Sequence, residues 1–225
     1  MMGLREPALS AGTDDGDRFA AARRAMIESQ LRPSGVNDAR ILAAMASLPR
    51  EDFVPHERRS VAYIDRRVPL SRDRALVPPI SHGLMLTEAR PTPEDRALLI
   101  GGATGYLAAL VAPLVASLHV VESDAELAAR AVRSAANWSV GPLEKGLKAS
   151  APYTLILVDG AIETFPDALT RQLADDGRVV TGLLENDVSR LAVGRKAAGQ
   201  IGFLSLIEAD FPLLPGFAAP RKWSF

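Results

Sequence analysis

The residues best placed to do chemistry lie at one turn and one strand end. Leu98-Leu99-Ile100 is a short apolar run that enters Gly101-Gly102-Ala103-Thr104-Gly105-Tyr106, and Glu122 closes the next apolar run. Glycines at such a turn let the backbone approach a ligand where a Cβ would collide. An acid about 20 residues beyond the turn is positioned to accept hydrogen bonds from ribose hydroxyls. The combination predicts a nucleoside-bearing cofactor held by Ile100, Gly101, Gly102, Thr104, Gly105, Tyr106 and Glu122. Asp159, at the end of the strong apolar run Thr154–Val158, is expected at the same edge, because ligands of parallel α/β sheets bind beyond the carboxyl ends of the strands.

Those residues need a parallel sheet to bring them together, and the chain after Pro93 alternates strand and helix patterns as such a sheet requires. Strands are expected at Ala97–Ile100, Ser117–Glu122, weakly at Trp138–Val140, at Thr154–Val158 and at Arg178–Gly182. Helices are expected from Gly105 to Val115, from a Ser123/Glu126 capping box to Ala136, and after Thr164 and Pro166. Arg190–Arg195 and Gly202–Ala209 read as an antiparallel hairpin around Ala197-Ala198-Gly199. Before the sheet, Phe19, Ala22, Met26, Ile27 and Gln30 recur at helical spacing between Arg18 and Leu31, with Arg23-Arg24 on the wet face. A second helix begins at an Asn37 N-cap, with Val36 and Ile41 as a hydrophobic staple, and stops before Pro49. Pro49 to Pro93 reads as a long connection with short elements only, a length that usually builds or covers a site. Residues 1–17 read as a disordered lead-in.

Composition narrows the class. The 225 residues suffice for one good-sized core, and 48% hydrophobic with 24% charged residues describe an ordinary globular protein. A net charge of -1 makes no electrostatic case for nucleic acid or an anionic membrane. The chain has no cysteine, and its three histidines (His56, His82, His119) lack metal-ligand spacing. A cytoplasmic protein is expected. About 95 residues precede the glycine turn and its third glycine fits loosely, which disfavours a nicotinamide enzyme and favours a methyltransferase-type Rossmann sheet.

Several further segments carry a family likeness. Arg24-Ala-Met-Ile-Glu-Ser-Gln30, Gly35-Val-Asn-Asp38, Ile41-Leu-Ala-Ala-Met45, Pro49-Arg-Glu-Asp-Phe-Val-Pro55, Ala62-Tyr-Ile-Asp65 and Val68-Pro69-Leu70 occur in that order. With the glycine turn they resemble the protein-L-isoaspartate O-methyltransferases from about Arg18 to Val180. The resemblance implies a class I methyltransferase fold (a mostly parallel Rossmann-like sheet with a C-terminal antiparallel hairpin behind a helical N-terminal segment). It implies residues 18–93 as that segment with the active-site loop, and 94–225 as the cofactor-binding domain. It implies S-adenosylmethionine as methyl donor and isoaspartyl carboxylates of damaged proteins as acceptors. The chain departs from the family where Leu99 replaces an acid, Ala103 a glycine and Gly102 a threonine. The family's Gly-Gln-Thr-Ile-Ser-Gln-Pro loop falls on Asp73-Arg-Ala-Leu-Val-Pro-Pro79. Val77 stands for the serine and its side chain can donate no hydrogen bond, while Arg74 offers a bidentate clamp for a carboxylate. An impaired relative that binds cofactor or peptide as a regulator or scaffold, or an enzyme for another acceptor, is the alternative that these departures leave open.

Overall fold

The computed structural model describes residues 11–132 and 136–220. The N-terminal part is helical. Helix α1 (Ala11–Met26) passes into a π-helical turn, Ile27–Leu31, and α2 (Ala39–Ser47) follows. Helical structure is therefore present from Ala11 onward, inside the segment expected to be a disordered lead-in. Residues 1–10 lie outside the described residues. The cap of α2 is Asp38 rather than Asn37: its side chain accepts from the Arg40 N–H. The connection to the sheet holds two 3₁₀ turns (Arg50–Phe53 and His56–Val61) and a two-stranded ribbon, β1 (Val68–Pro69) with β2 (Ala75–Leu76). It also holds an eleven-residue helix, α3 (Pro79–Ala89), in place of the expected run of short elements. Pro79 sits in the first turn, where its missing N–H costs no helical bond.

The sheet then forms largely where the apolar runs lie. Its strands are β3 (Arg96–Ile100), β4 (Ser117–Glu122), β5 (Asn137–Val140), β6 (Tyr153–Ile162), β7 (Leu173–Glu185), β8 (Val188–Ala197) and β9 (Gln200–Glu208). They are ordered β5-β4-β3-β6-β7-β8-β9. The first five are parallel, and β7-β8-β9 form an antiparallel meander. The turn between β8 and β9 places Ala198 and Gly199 at φ 50° and 76°, a two-residue turn whose twist suits a hairpin. Between the strands run α4 (Tyr106–Val111), α5 (Ala125–Arg130) and α6 (Asp167–Thr170). All three are shorter than the sequence pattern predicts. Asp124, not Ser123, caps α5 by accepting from the Glu126 and Leu127 N–H groups.

Side chains alternate along each strand and divide the core in two. Leu99, Val120, Leu157 and Val180 pack with Met26, Leu31, Ile41, Met45, Met85, Leu86 and Leu107 from the helices of one face. Leu98, Ile100, Val121, Ile156, Val158 and Val179 pack on the other face with Leu169, Leu214 and Phe217. The helical N-terminal part thus shares one continuous core with the sheet. The order reverses between β3 and β6, so a crevice is expected beyond the carboxyl ends of these two strands. No helix among the described residues is long and apolar enough to cross a membrane.

Candidate cofactor site

The turn leaving β3 has the backbone that its glycines suggest. Gly101 and Gly105 adopt φ 82° and 96°, in the left-handed region. Ala103, at the place of a family glycine, is also left-handed at φ 47°. The turn faces the end of β4, where the Gly101 and Gly102 N–H groups donate to the Val121 carbonyl at 2.8 and 3.3 Å.

Glu122 is fully buried there. Its Oε1 accepts from the Ser123 N–H (2.8 Å) and the Asp124 N–H (3.0 Å), with the Ser123 hydroxyl further out at 3.4 Å. Its Oε2 accepts from the Ala103 N–H (2.6 Å) and from an Arg74 guanidinium nitrogen at 3.0 Å. A carboxylate has about four acceptor sites, and these donors fill them. Arg74 reaches this point from the tip of the β1–β2 ribbon, where its carbonyl accepts from the Leu70 and Ser71 N–H groups. The guanidinium lies against the bare glycine: a Cβ on Gly101 would come within 2.9 Å of one of its nitrogens. Arg74 therefore holds a carboxylate through one nitrogen rather than as a bidentate clamp, and the carboxylate belongs to this chain.

The other side of the turn is also covered. A Cβ on Gly102 would meet Val120 at 2.3 Å and Trp138 at 2.7 Å, and one on Gly105 would meet the Val132 carbonyl at 2.7 Å. Thr104 donates its hydroxyl to the Phe53 carbonyl at 2.6 Å. The cavity beside Thr104, lined also by Phe53, Leu70 and Arg130, has a volume of about 130 Å³. Small-molecule sites run to roughly 300–1,000 Å³. Arg74 holds one oxygen of the carboxylate that the sequence marks for a ribose.

The remaining candidates are buried within the protein. Ile100 belongs to the core on the sheet face that carries Leu214 and Phe217, and Tyr106 packs edge-on to Phe53 with ring centroids 5.3 Å apart. Asp159 receives His82 Nε2 at 2.8 Å, and both are buried. Val77 is buried with its carbonyl accepting from Arg50 at 2.5 Å. Ser81 and His82 lie buried in the first turn of α3. Arg23 is not on a wet face either: it donates to the Tyr63 hydroxyl at 2.8 Å and pairs with Glu51 at 3.2 Å. Trp223 and the segment from Arg221 lie outside the described residues.

One residue that composition does not single out organises this edge. Arg50, from the first 3₁₀ turn, is fully buried and donates to the Ala62 carbonyl at 2.7 Å and to the Val77 carbonyl. It stands 3.4 Å from His82 Nδ1, with its charge 4.7 Å from the centre of the Tyr106 ring. Burial pulls its pKa below the ordinary arginine value, against the opposing pull of Tyr106, Asp159 and Tyr63. Its signal in the sequence was its place in the motif Pro49-Arg-Glu-Asp-Phe-Val-Pro55.

A mostly parallel sheet with a glycine turn after β3, an acid at the end of β4 and an antiparallel β7-β8-β9 end has the Rossmann-like methyltransferase architecture. Residues 21–211 match the family described as Protein-L-isoaspartate(D-aspartate) O-methyltransferase. A protein-L-isoaspartate O-methyltransferase of Koribacter versatilis is 38% identical over 213 residues, covering 92% of this chain and 96% of that protein. One from Aeropyrum pernix is 38% identical, covering 94% of this chain and 86% of that protein. Among solved structures, a protein-L-isoaspartate O-methyltransferase superposes with a TM-score of 0.74 at 23% identity, over 86% of this chain and 66% of that one. A putative one from Plasmodium falciparum, in complex with S-adenosylhomocysteine, gives 0.71 at 17% identity, over 87% and 97%. This chain belongs to the protein-L-isoaspartate O-methyltransferase family, an enzyme family whose methyl donor is S-adenosylmethionine.

Proposed function

We propose that this chain performs its family's reaction, methylation of isoaspartyl carboxylates in damaged proteins or peptides, in the cytoplasm. The observation that supports it most is the family match over residues 21–211, which spans both the helical part and the sheet. A carboxylate acceptor is anionic at neutral pH, so alignment rather than a general base is what the protein must supply. Val77 and Pro78 supply no side-chain donor at the loop where the family has serine and glutamine, and one well-placed donor is worth about 3 kcal/mol of transition-state stabilisation. Slow turnover on isoaspartyl peptides is therefore expected. The check is methanol release from an isoaspartyl hexapeptide with S-adenosylmethionine, against the same peptide with normal aspartate. Release no faster from the isoaspartyl peptide would sink the assignment.

A second reading, a relative that binds without turnover, draws on the Arg74–Glu122 pair and the small cavity beside Thr104. Its signature is saturable binding of peptide or donor with no methanol released, unchanged in Val77→Ser. On the first reading that substitution speeds release.

A further inference from the structure

We propose that Arg74 is the residue that sets this chain's affinity for its methyl donor: its guanidinium occupies the nucleoside seat and must leave before the donor can bind. The proposal rests on the methyltransferase reading and adds to it a competitor carried in cis.

Three observations carry it. First, of the four close donors on Glu122, three are backbone N–H groups of residues 103, 123 and 124, fixed by the turn and by the start of α5. Arg74 is the fourth, and among these it is the one that can be exchanged for a ribose hydroxyl without unmaking the fold. Second, it comes from the ribbon of β1 and β2, whose register holds two residue pairs, Val68 with Leu76 and Pro69 with Ala75. A ribbon that short has little stability of its own, so its tip can move while the sheet stays. Third, the closed arrangement is incompletely satisfied. Arg74 is 4% exposed, yet its Nε has no hydrogen-bond partner among the described residues. A buried donor without an acceptor weakens the state that holds it.

Removing Arg74 does not strip Glu122 of support, because the backbone donors remain. The seat then opens with its acid in place. When a binding-competent state is only partly populated, the apparent dissociation constant is the intrinsic one divided by that fraction. Wild type therefore binds weakly, and a side chain that cannot form an ion pair with Glu122 weakens the closed arrangement and relieves the penalty. Arg74→Gln removes the charge and keeps most of the length; Arg74→Lys keeps the charge without the planar fork.

The test is calorimetric titration of the full chain and both variants with S-adenosylhomocysteine, which carries no methyl to transfer. R74Q is expected to bind at least tenfold more tightly than wild type, with R74K between them. Hydrogen exchange at the Ala103 amide supplies a second readout, expected to be faster in ligand-free R74Q than in wild type and slowed again by the ligand. Equal affinities in wild type and R74Q overturn the gate and leave the methyltransferase reading intact. Tighter binding by R74Q with no methyl transfer from either protein overturns that reading and leaves the gate. No heat from either folded protein overturns both.

Discussion

At the scale of single residues, the glycine turn shows how spacing can be legible while occupancy is not. The distance from Gly101 to Glu122 follows from one strand, one turn and one helix, so chain position reveals it. The Arg74–Glu122 pair joins residues 48 positions apart through the ribbon's path, and no local pattern encodes that. Leu99 is similar: in sequence it marks a lost acid, and in the structure it is a fully buried core residue paired with Val120 and Leu157. The substitutions at the turn itself carry opposite expectations. Ala103 is left-handed, a conformation costing an alanine roughly 1–2 kcal/mol. Ala103→Gly relieves that strain, but gives up about 0.8 kcal/mol of methyl burial and 0.5–1 kcal/mol of chain entropy. The terms nearly cancel, so urea denaturation is expected to place this variant within about 1 kcal/mol of wild type. Gly102→Ala instead drives a methyl into Val120 and Trp138, and a loss of about 2–3 kcal/mol is expected from overpacking. Wild-type stability in that variant would mean that Trp138 does not pack on the turn.

At the scale of elements, the strands were readable because period-two burial and short apolar runs survive any tertiary context. β4 spans the predicted Ser117–Glu122, and β3, β5, β6 and β7 contain their predicted cores. The connection between Pro49 and Pro93 was not readable. Pro78-Pro79 looks like a breaker, and with eight apolar or small residues among eleven α3 has little polar face to give it a helical rhythm. What fixes that helix is tertiary: Met85 and Leu86 are fully buried, and His82 at its start meets Asp159 and Arg50. Arg50 therefore joins the first 3₁₀ turn to the 62–63 region, to Val77 and to α3. Arg50→Met fills the volume but strands two buried carbonyls and a ring nitrogen, each costing about 1–3 kcal/mol. A drop of about 3–5 kcal/mol in unfolding free energy is expected, seen as a lower denaturation midpoint at unchanged slope. A shift below about 1 kcal/mol would show that these partners find water or each other instead.

At the scale of the whole molecule, the helical part and the sheet are tied at both edges, so they should unfold together. Arg50 makes the tie at the carboxyl edge, and Asp95 with Arg178 makes it at the other. Asp95 accepts from Arg178 at 3.0 and 2.5 Å, from the Thr154 hydroxyl at 2.6 Å and from the Thr92 N–H at 2.8 Å. The same arginine donates to the Ala89 and Arg90 carbonyls at 2.6 and 3.0 Å, closing the end of α3 onto β3 and β7. Burial pushes the Asp95 carboxyl upward, but the bonds from Arg178, Thr154 and Thr92 outweigh it and hold the pKa below the usual carboxylate value. The unfolded chain, with an aspartate pKa of about 3.9, then binds the proton more readily than the folded one. The tie contributes fully above that pKa, and its contribution is lost as the pH falls through the lower folded value. Asp95→Asn keeps the shape and removes both charge and titration. At pH 7 the variant is expected to be about 3 kcal/mol less stable than wild type, since Arg178 is left without its carboxylate. Below pH 4 the gap narrows, because wild type loses by protonation what the variant already lacks. Far-ultraviolet circular dichroism, which follows the helices, and Trp138 fluorescence in a Trp223→Phe background, which follows the sheet, should give one midpoint at every pH. A gap that stays constant from pH 7 to pH 2 would remove Asp95 from the acid response, and separate midpoints at neutral pH would show that the two halves are not one unit.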